Sequence, residues 1–268
     1  MWLYIAIALA VTNIVTLAVV LHNDRKRKLQ MELFIKDRIK LENQMEMDKK
    51  NAEITSLQSQ INPHFLYNTL EVIRSEAIIN QDYAAAEMSE ALANYFRYNI
   101  SRKSDTVTVG DELDNVGNYI SIQKGRFGER VSYEIRYDSD EAEIRKAMIP
   151  KLTLQPLVEN AIFHGLEKKA GNGKVTVHAV CTGVRIILRV TDDGPGMNEQ
   201  TLKEVERKIN GVTMADDRPN TDKHGGIALA NINKRIKMVF GEEFGLYITS
   251  TPGIGTEAEV IMPYRKKE

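Results

Sequence analysis

The sequence predicts a multidomain chain: one N-terminal transmembrane helix, a long coiled-coil helix, a helical hairpin that dimerises, and a C-terminal α+β sandwich. Three observations carry this prediction. Residues 2–21 are almost wholly apolar and hold no charge, residues 24–61 contain neither glycine nor proline, and the text beyond residue 108 alternates between strand-like and helix-like segments separated by turn residues.

The first segment, residues 1–22, is predicted to span a membrane. Trp2 to Leu21, at 1.5 Å per residue, reaches across a hydrocarbon core of roughly 30 Å. A signal peptide fits less well, because no basic stretch precedes the apolar run and no small-residue cleavage pattern follows it. The cluster Arg25-Lys26-Arg27-Lys28 comes directly afterwards. By the positive-inside rule it places the N-terminus outside and the rest in the cytoplasm, as a single-pass protein of the cell membrane. Trp2 and Tyr4 suit the outer interface. No second apolar span is visible and little precedes the first, so no extracellular ligand domain is expected. A signal would then enter through the membrane helix, through a membrane-embedded sensor or transporter partner, or from the cytoplasm.

Residues 23–50 read as a cytoplasmic signalling helix. Met31, Phe34, Leu41 and Met45 follow spacings of three and four, as do Ile54, Leu57 and Ile61, with a break in phase between the two sets. That is the pattern of a coiled coil with a stutter. Residues 51–105 read as a helical hairpin, with a turn near Asn80 to Asp82 and a second arm near Tyr83 to Asn99. One hairpin leaves an apolar stripe uncovered, whereas two hairpins from two subunits close a four-helix bundle, so a homodimer is expected. Pro63 falls inside the first arm and is expected to kink it, because helical spacing resumes at Phe65, Leu66, Leu70 and Ile73 without turn residues.

From residue 106 to 268 the chain reads as one α+β domain. Helices are expected near Asp111–Arg126, Leu152–Leu166, Asn198–Asn210 and Ala228–Phe240. Strands are expected near Val131–Tyr137, Val175–Cys181, Val184–Val190, Gly245–Ser250 and Thr256–Pro263. The formal net charge of −1 gives no reason to expect a nucleic-acid partner. Cys181 is the only cysteine, which excludes an intrachain disulfide and any zinc site built from several thiolates.

Four stretches of this domain carry candidate chemistry. LVENAIFHG sets Glu159, Asn160 and His164 on a helix, where oxygen donors can hold a magnesium ion that completes its shell with phosphate oxygens and water. TDDGPGM ends a strand in Asp192-Asp193 and turns through Gly194 and Gly196; a carboxylate there can accept from an amino group of a planar heterocycle while glycine lets the ring approach. HGGIALAN places Gly225-Gly226 before a helix near Ala228, where free amides and the helix dipole receive phosphate. The polar stretch before it, Gly211 to Lys223, could serve as a mobile lid. TPGIGTEAEVIMP turns through Gly253, Gly255 and Thr256 into the last strand.

In this order and spacing the four resemble the ATPase domain shared by gyrases, MutL proteins and histidine kinases. SQINPHFLYNTLEVIRSEA, ALANYFRYNI and KGRFGERV resemble the LytS/YesM-type sensor histidine kinases in particular. The resemblance implies ATP and Mg²⁺ as ligands, His64 as phosphoacceptor, and a response regulator as the partner that takes the phosphoryl group onto an aspartate. By position it assigns magnesium to Asn160, with Glu159 as its acidic, catalytic neighbour. It assigns phosphate contact to His164 and adenine reading to Asp192, with Gly194 and Gly196 shaping the pocket. Gly225, Gly226 and Leu229 fall in the loop at the lid's end, and Thr256 beside the adenine. Two departures stand out. Ala228 occupies a place where the family usually has glycine, and Phe65 follows His64 where many histidine kinases carry an acid. The group that activates His64 is therefore left between Asn68 and Glu71. Of the other histidines, His22 is expected at the membrane edge, His178 on a solvated strand face, and His224 beside the lid glycines.

Overall fold

The computed structural model describes residues 62–101, 104–167, 169, 171–211 and 223–266, together with Arg38. The predicted membrane helix, the coiled coil apart from Arg38, the start of the hairpin and nearly all of the expected lid lie outside the described residues. Among the described residues, no helix is long and apolar enough to cross a membrane.

The hairpin consists of α1 (Pro63–Ile79) and α2 (Tyr83–Ile100). Pro63 opens α1 and Asn62 stands outside it, so the proline occupies the first helical position and not the interior of an arm. There its missing N–H costs nothing, since the first amides of a helix have no intrahelical acceptor anyway. The turn falls where the sequence put it. Gln81 takes a left-handed conformation with φ of 58°, and Asp82 caps α2 by accepting from the Ala85 amide at 3.0 Å. Leu70 and Ala77 of α1 are buried, as are Ala86, Ala91 and Ala93 of α2. Small side chains let the arms approach closely, and the Ser89 hydroxyl donates to the Leu70 carbonyl at 2.7 Å.

The strand β1 (Thr106–Thr108) leads into α3 (Val109–Phe127). This helix starts at a capping box, in which Thr108 and Asp111 each accept from the other's amide. Its buried face is Val109, Leu113, Val116 and Ile120. A turn of 3-10 helix enters β2 (Val131–Tyr137), followed by α4 (Glu141–Lys146) and β3 (Met148–Pro150). The sequence had not predicted β1, α4 or β3. The two strands have three residues each and α4 has six, too few for a period of two or 3.6 to register.

The predicted helix 152–166 is two pieces, α5 (Leu154–Asn160) and a π-helical turn (Ala161–Leu166). A wider turn changes the phase of the side chains, a feature that recurs at functional sites. Then come β4 (Gly173–Cys181), β5 (Arg185–Asp192), α6 (Glu199–Ile209), α7 (Lys223–Phe240), β6 (Gly245–Thr251) and β7 (Gly255–Pro263). The sequence placed the start of α7 near Ala228, yet the helix begins at Lys223 and takes Gly225-Gly226 into its first turns. First-turn amides need no acceptor within the helix, so glycine there does not mark a boundary.

The main sheet runs β2-β4-β5-β7-β6, with β2 parallel to β4 and the remaining pairs antiparallel. Alternation decides its two faces. Val175, Val177, Ile186, Leu188, Val190, Val260 and Met262 are buried with α3, α5 and α7 in one core. The opposite face carries paired polar groups, including Arg189 with Glu259 and the His178 ring 2.8 Å from Asp138. His178 thus faces away from the core, as its strand position predicts. Within the core side, Asn233 of α7 is buried but satisfied, donating to the Ile209 carbonyl at 3.0 Å and accepting from the Leu246 amide at 3.0 Å.

Candidate active site

The pocket begins at the end of β5. Asp192 is only 7% exposed. Its Oδ1 accepts from the Gly194 amide at 2.9 Å. Burial pushes its carboxyl above the ordinary aspartate range, and the Gly194 and Thr256 amides offset part of that rise. Three backbone segments crowd it, and each does so at a glycine. A Cβ on Gly165, in the π turn, would stand 2.6 Å from Asp192 Oδ1, and one on Gly194 would stand 2.5 Å from the Gly165 Cα. Gly255 has φ of +141°, and a Cβ there would meet the Asp192 carbonyl oxygen at 1.9 Å. Gly196, with φ of +65°, likewise approaches the Thr251 carbonyl. The Thr256 hydroxyl lies 2.9 Å from Ser250 Oγ, which accepts from the Met197 amide at 2.8 Å. The structure therefore brings Asp192, Gly194, Gly196 and Thr256 together. Gly165 and Gly255 belong with them, and only their places inside the NAIFHG and GIGT stretches hinted at it.

Glu159 and Asn160 close α5. Glu159 Oε1 accepts from the Tyr95 hydroxyl at 3.0 Å and from Gln155 Nε2 at 2.8 Å. Asn160 Nδ2 is buried with no hydrogen-bond partner among the described residues. An unsatisfied buried donor carries a desolvation cost that a ligand oxygen would remove. His164 lies on the π turn, with its ring edge-on to Phe163 at 5.0 Å. Leu229 is packed into the core, so its side chain anchors α7, and the lid-end glycines lie about one turn earlier in that helix.

His64 sits at the second position of α1 and is exposed. Asn68, one turn later, brings Nδ2 to 3.3 Å from one ring nitrogen and 3.4 Å from the other. Glu71 is engaged with Arg74 at 3.2 Å, and Arg74 also reaches Glu90 of α2 at 3.5 Å. Of the two groups proposed to act on the imidazole, Asn68 is the one at hydrogen-bonding distance from it.

Residues 52–131 match the Histidine kinase family, and residues 146–266 match the family of Histidine kinase-, DNA gyrase B-, and HSP90-like ATPases. The chain is 38% identical over 218 residues to the sensor histidine kinase YesM of Bacillus subtilis (strain 168), which covers 81% of this chain and 34% of that protein. It is 36% identical over 213 residues to the YwpD protein of the same organism, with 78% of this chain and 69% of YwpD covered. The chain belongs to the histidine kinases. A further relative, the sensor histidine kinase YpdA of Escherichia coli (strain K12), is 37% identical over 80% of this chain and 35% of its own length. The chain thus spans about a third of the length of YesM and YpdA. The ATPase family covers β3 to β7, so the kinase fold is the one that builds the pocket around Asp192 and presents α5 to it.

Proposed function

We propose that the chain phosphorylates itself on His64 with ATP held in its C-terminal domain, then passes the phosphoryl group to an aspartate of a response regulator. The observation that supports this most is the exposed His64 with Asn68 against its ring, in the same compact unit as the buried Asp192 carboxylate and the glycines packed around it. Asp192 accepts from the adenine amino group, and Gly165, Gly194 and Gly255 let three backbone segments close around that carboxylate and fix it. Asn160 fits a magnesium–phosphate group, since its orphaned Nδ2 can donate to a phosphate oxygen and an amide oxygen is a hard donor for the cation. Magnesium, when bound, supplies charge neutralisation on the triphosphate. A ring nitrogen of His64 forms the new N–P bond as the bond to the ADP oxygen breaks. Phosphoryl transfer is chiefly positioning and charge stabilisation, so the lone pair of that nitrogen must be free and aimed. Asn68 Nδ2 donates toward the imidazole and so orients the ring.

The proposed setting is a homodimer anchored in the cell membrane by residues 1–22, with residues 23–50 carrying the signal to the hairpin of residues 51–105 and the ATP domain of residues 106–268. The same Asn68 amide could orient a water for removal of phosphate from the regulator, which is the second activity we infer.

The test is incubation with labelled ATP and magnesium. Acid-labile label is expected on wild type and lost in His64→Gln; label that persists in the variant would refute the assignment. Nucleotide binding without any phosphohistidine would point to the alternative, a scaffold that regulates a partner without phosphotransfer. Added protein is expected to accelerate decay of the phosphorylated regulator, and Asn68→Ala to abolish that acceleration.

A further inference from the structure

The second arm of the hairpin is fastened along the ATPase domain at four places. The Met88 methyl fills the space where a Cβ on Gly125 would stand, 2.0 Å away. The Tyr95 hydroxyl donates to Glu159 at 3.0 Å. The Tyr98 hydroxyl donates to Glu112. The Ser101 carbonyl accepts from the Lys151 ammonium, which also lies 4.9 Å over the Tyr98 ring. Met88, Tyr95 and Tyr98 are separated by seven and three residues, so one face of α2 makes these contacts.

The two tyrosines act on opposite ends of α5. Glu112, fully buried, accepts from the Leu152 amide at 2.6 Å and the Leu154 amide at 2.8 Å, at the start of that helix. Glu159 lies at its end, one residue before Asn160. Gln155 completes the far contact, donating to both the Tyr95 oxygen and Glu159 at 2.8 Å. Tyr95 is half-buried, and burial followed by the charge of Glu159 pushes its phenol well above the usual tyrosine range. The hydroxyl therefore stays a donor at any physiological pH.

His64 rides on α1, whereas the hairpin meets the ATPase domain chiefly through α2. On the proposed kinase reading, the nucleotide pocket has to swing to the imidazole, and contacts between α2 and the end of α5 must give way first. An interaction present in the resting state and absent from the transfer state slows the reaction by the energy needed to break it. We propose that the Tyr95–Glu159 hydrogen bond is an autoinhibitory latch, holding the ATPase domain against the hairpin until a movement of α2 releases it. The latch reports on the nucleotide site directly, because the carboxylate it holds is the chain neighbour of Asn160.

The full chain in detergent, labelled with ATP and magnesium, tests this. Tyr95→Phe is expected to phosphorylate His64 roughly tenfold faster at saturating ATP, a change of about 1.4 kcal/mol and thus of the size of one hydrogen bond to a charged group. Affinity for a fluorescent ATP analogue is expected to stay the same. A second variant does not depend on that one folding. Met88→Cys with Gly125→Cys, in a Cys181→Ser chain, is joined by a short bismaleimide and is expected to lose labelling only when both new thiols are present and bridged. Wild-type labelling without acceleration in Tyr95→Phe, or full labelling after complete bridging, overturns the latch. Absence of label from wild type overturns the kinase reading and the latch with it.

Discussion

Asp192 carries a carboxyl group where charge is costly, and its surroundings show what that cost serves. Burial raises its pKa, so between the ordinary aspartate value and the raised folded value the native state binds more protons than the unfolded one. The ionised group consequently subtracts stability above the raised pKa, and stability is recovered as pH falls through it. Asp192→Asn keeps the acceptor for the Gly194 amide and drops the charge. The nucleotide-free variant is expected to melt at or above the wild-type temperature at pH 8, with the difference closing as the pH falls through the raised pKa. Its ATP affinity is expected to fall about tenfold or more, the weight of one hydrogen bond to a charged acceptor. A variant that melts lower while still binding ATP would contradict both halves. Gly165→Ala separates position from charge, since its methyl would enter within 2.6 Å of Asp192 Oδ1. It is expected to weaken nucleotide binding, measured by titration with a fluorescent analogue, with the overall helix content unchanged by circular dichroism. Asp192 could be read from sequence because a strand ending in Asp-x-Gly-x-Gly is a local pattern. Tyr95 could not, because its partner Glu159 lies 64 residues away and nothing in either local stretch names the other.

The elements divide along the same line. Strands β2, β4, β5 and β7 fell close to their expected bounds, because one buried face imposes strict alternation over seven to nine residues. The helix expected at 152–166 begins two residues late, at Leu154, and what delays it is tertiary. Leu152 has φ of +60° and its amide is held by Glu112, forty positions earlier. The same carboxylate then holds the Leu154 amide at the start of α5. Glu112→Ala would strip these buried amides and the Tyr98 hydroxyl of their acceptor. Losing one partner of a buried polar cluster costs about 3 kcal/mol. The expected result is a lower midpoint of urea unfolding with an unchanged slope, and a variant within experimental error of wild type would show that Glu112 does not organise α5. Nothing in the VGDELDN stretch marks that glutamate for the core, because a charged residue in a helix is ordinarily a solvated one.

At the scale of the whole molecule, α1 is apolar on two sides. Leu70 and Ala77 face α2 and are buried, whereas Phe65, Val72 and Ile79 are 69%, 62% and 72% exposed. At 100° per residue the first pair lies within about 20° of one direction, and the second set gathers near the opposite one. A repeat of seven is the seam spacing of packed helices, and an uncovered apolar seam on a hairpin calls for another hairpin. His64 and Asn68 stand beside this seam, so a second copy seated on it would leave the imidazole at the rim, open to the pocket. Each of the three side chains has about 1–2 kcal/mol of burial still to gain. In a two-fold dimer every substitution counts twice. Val72→Glu removes that gain and forces a carboxylate toward the seam in both subunits. A weakening of association by about a hundredfold is expected, equivalent to about 2.7 kcal/mol. Sedimentation of the full chain in detergent across a dilution series would show it as a dimer becoming monomeric at a higher concentration. Nucleotide affinity, which depends on residues of the ATPase domain and not on α1, should not follow. If Val72→Glu left the association constant unchanged, the seam would not be the dimer interface.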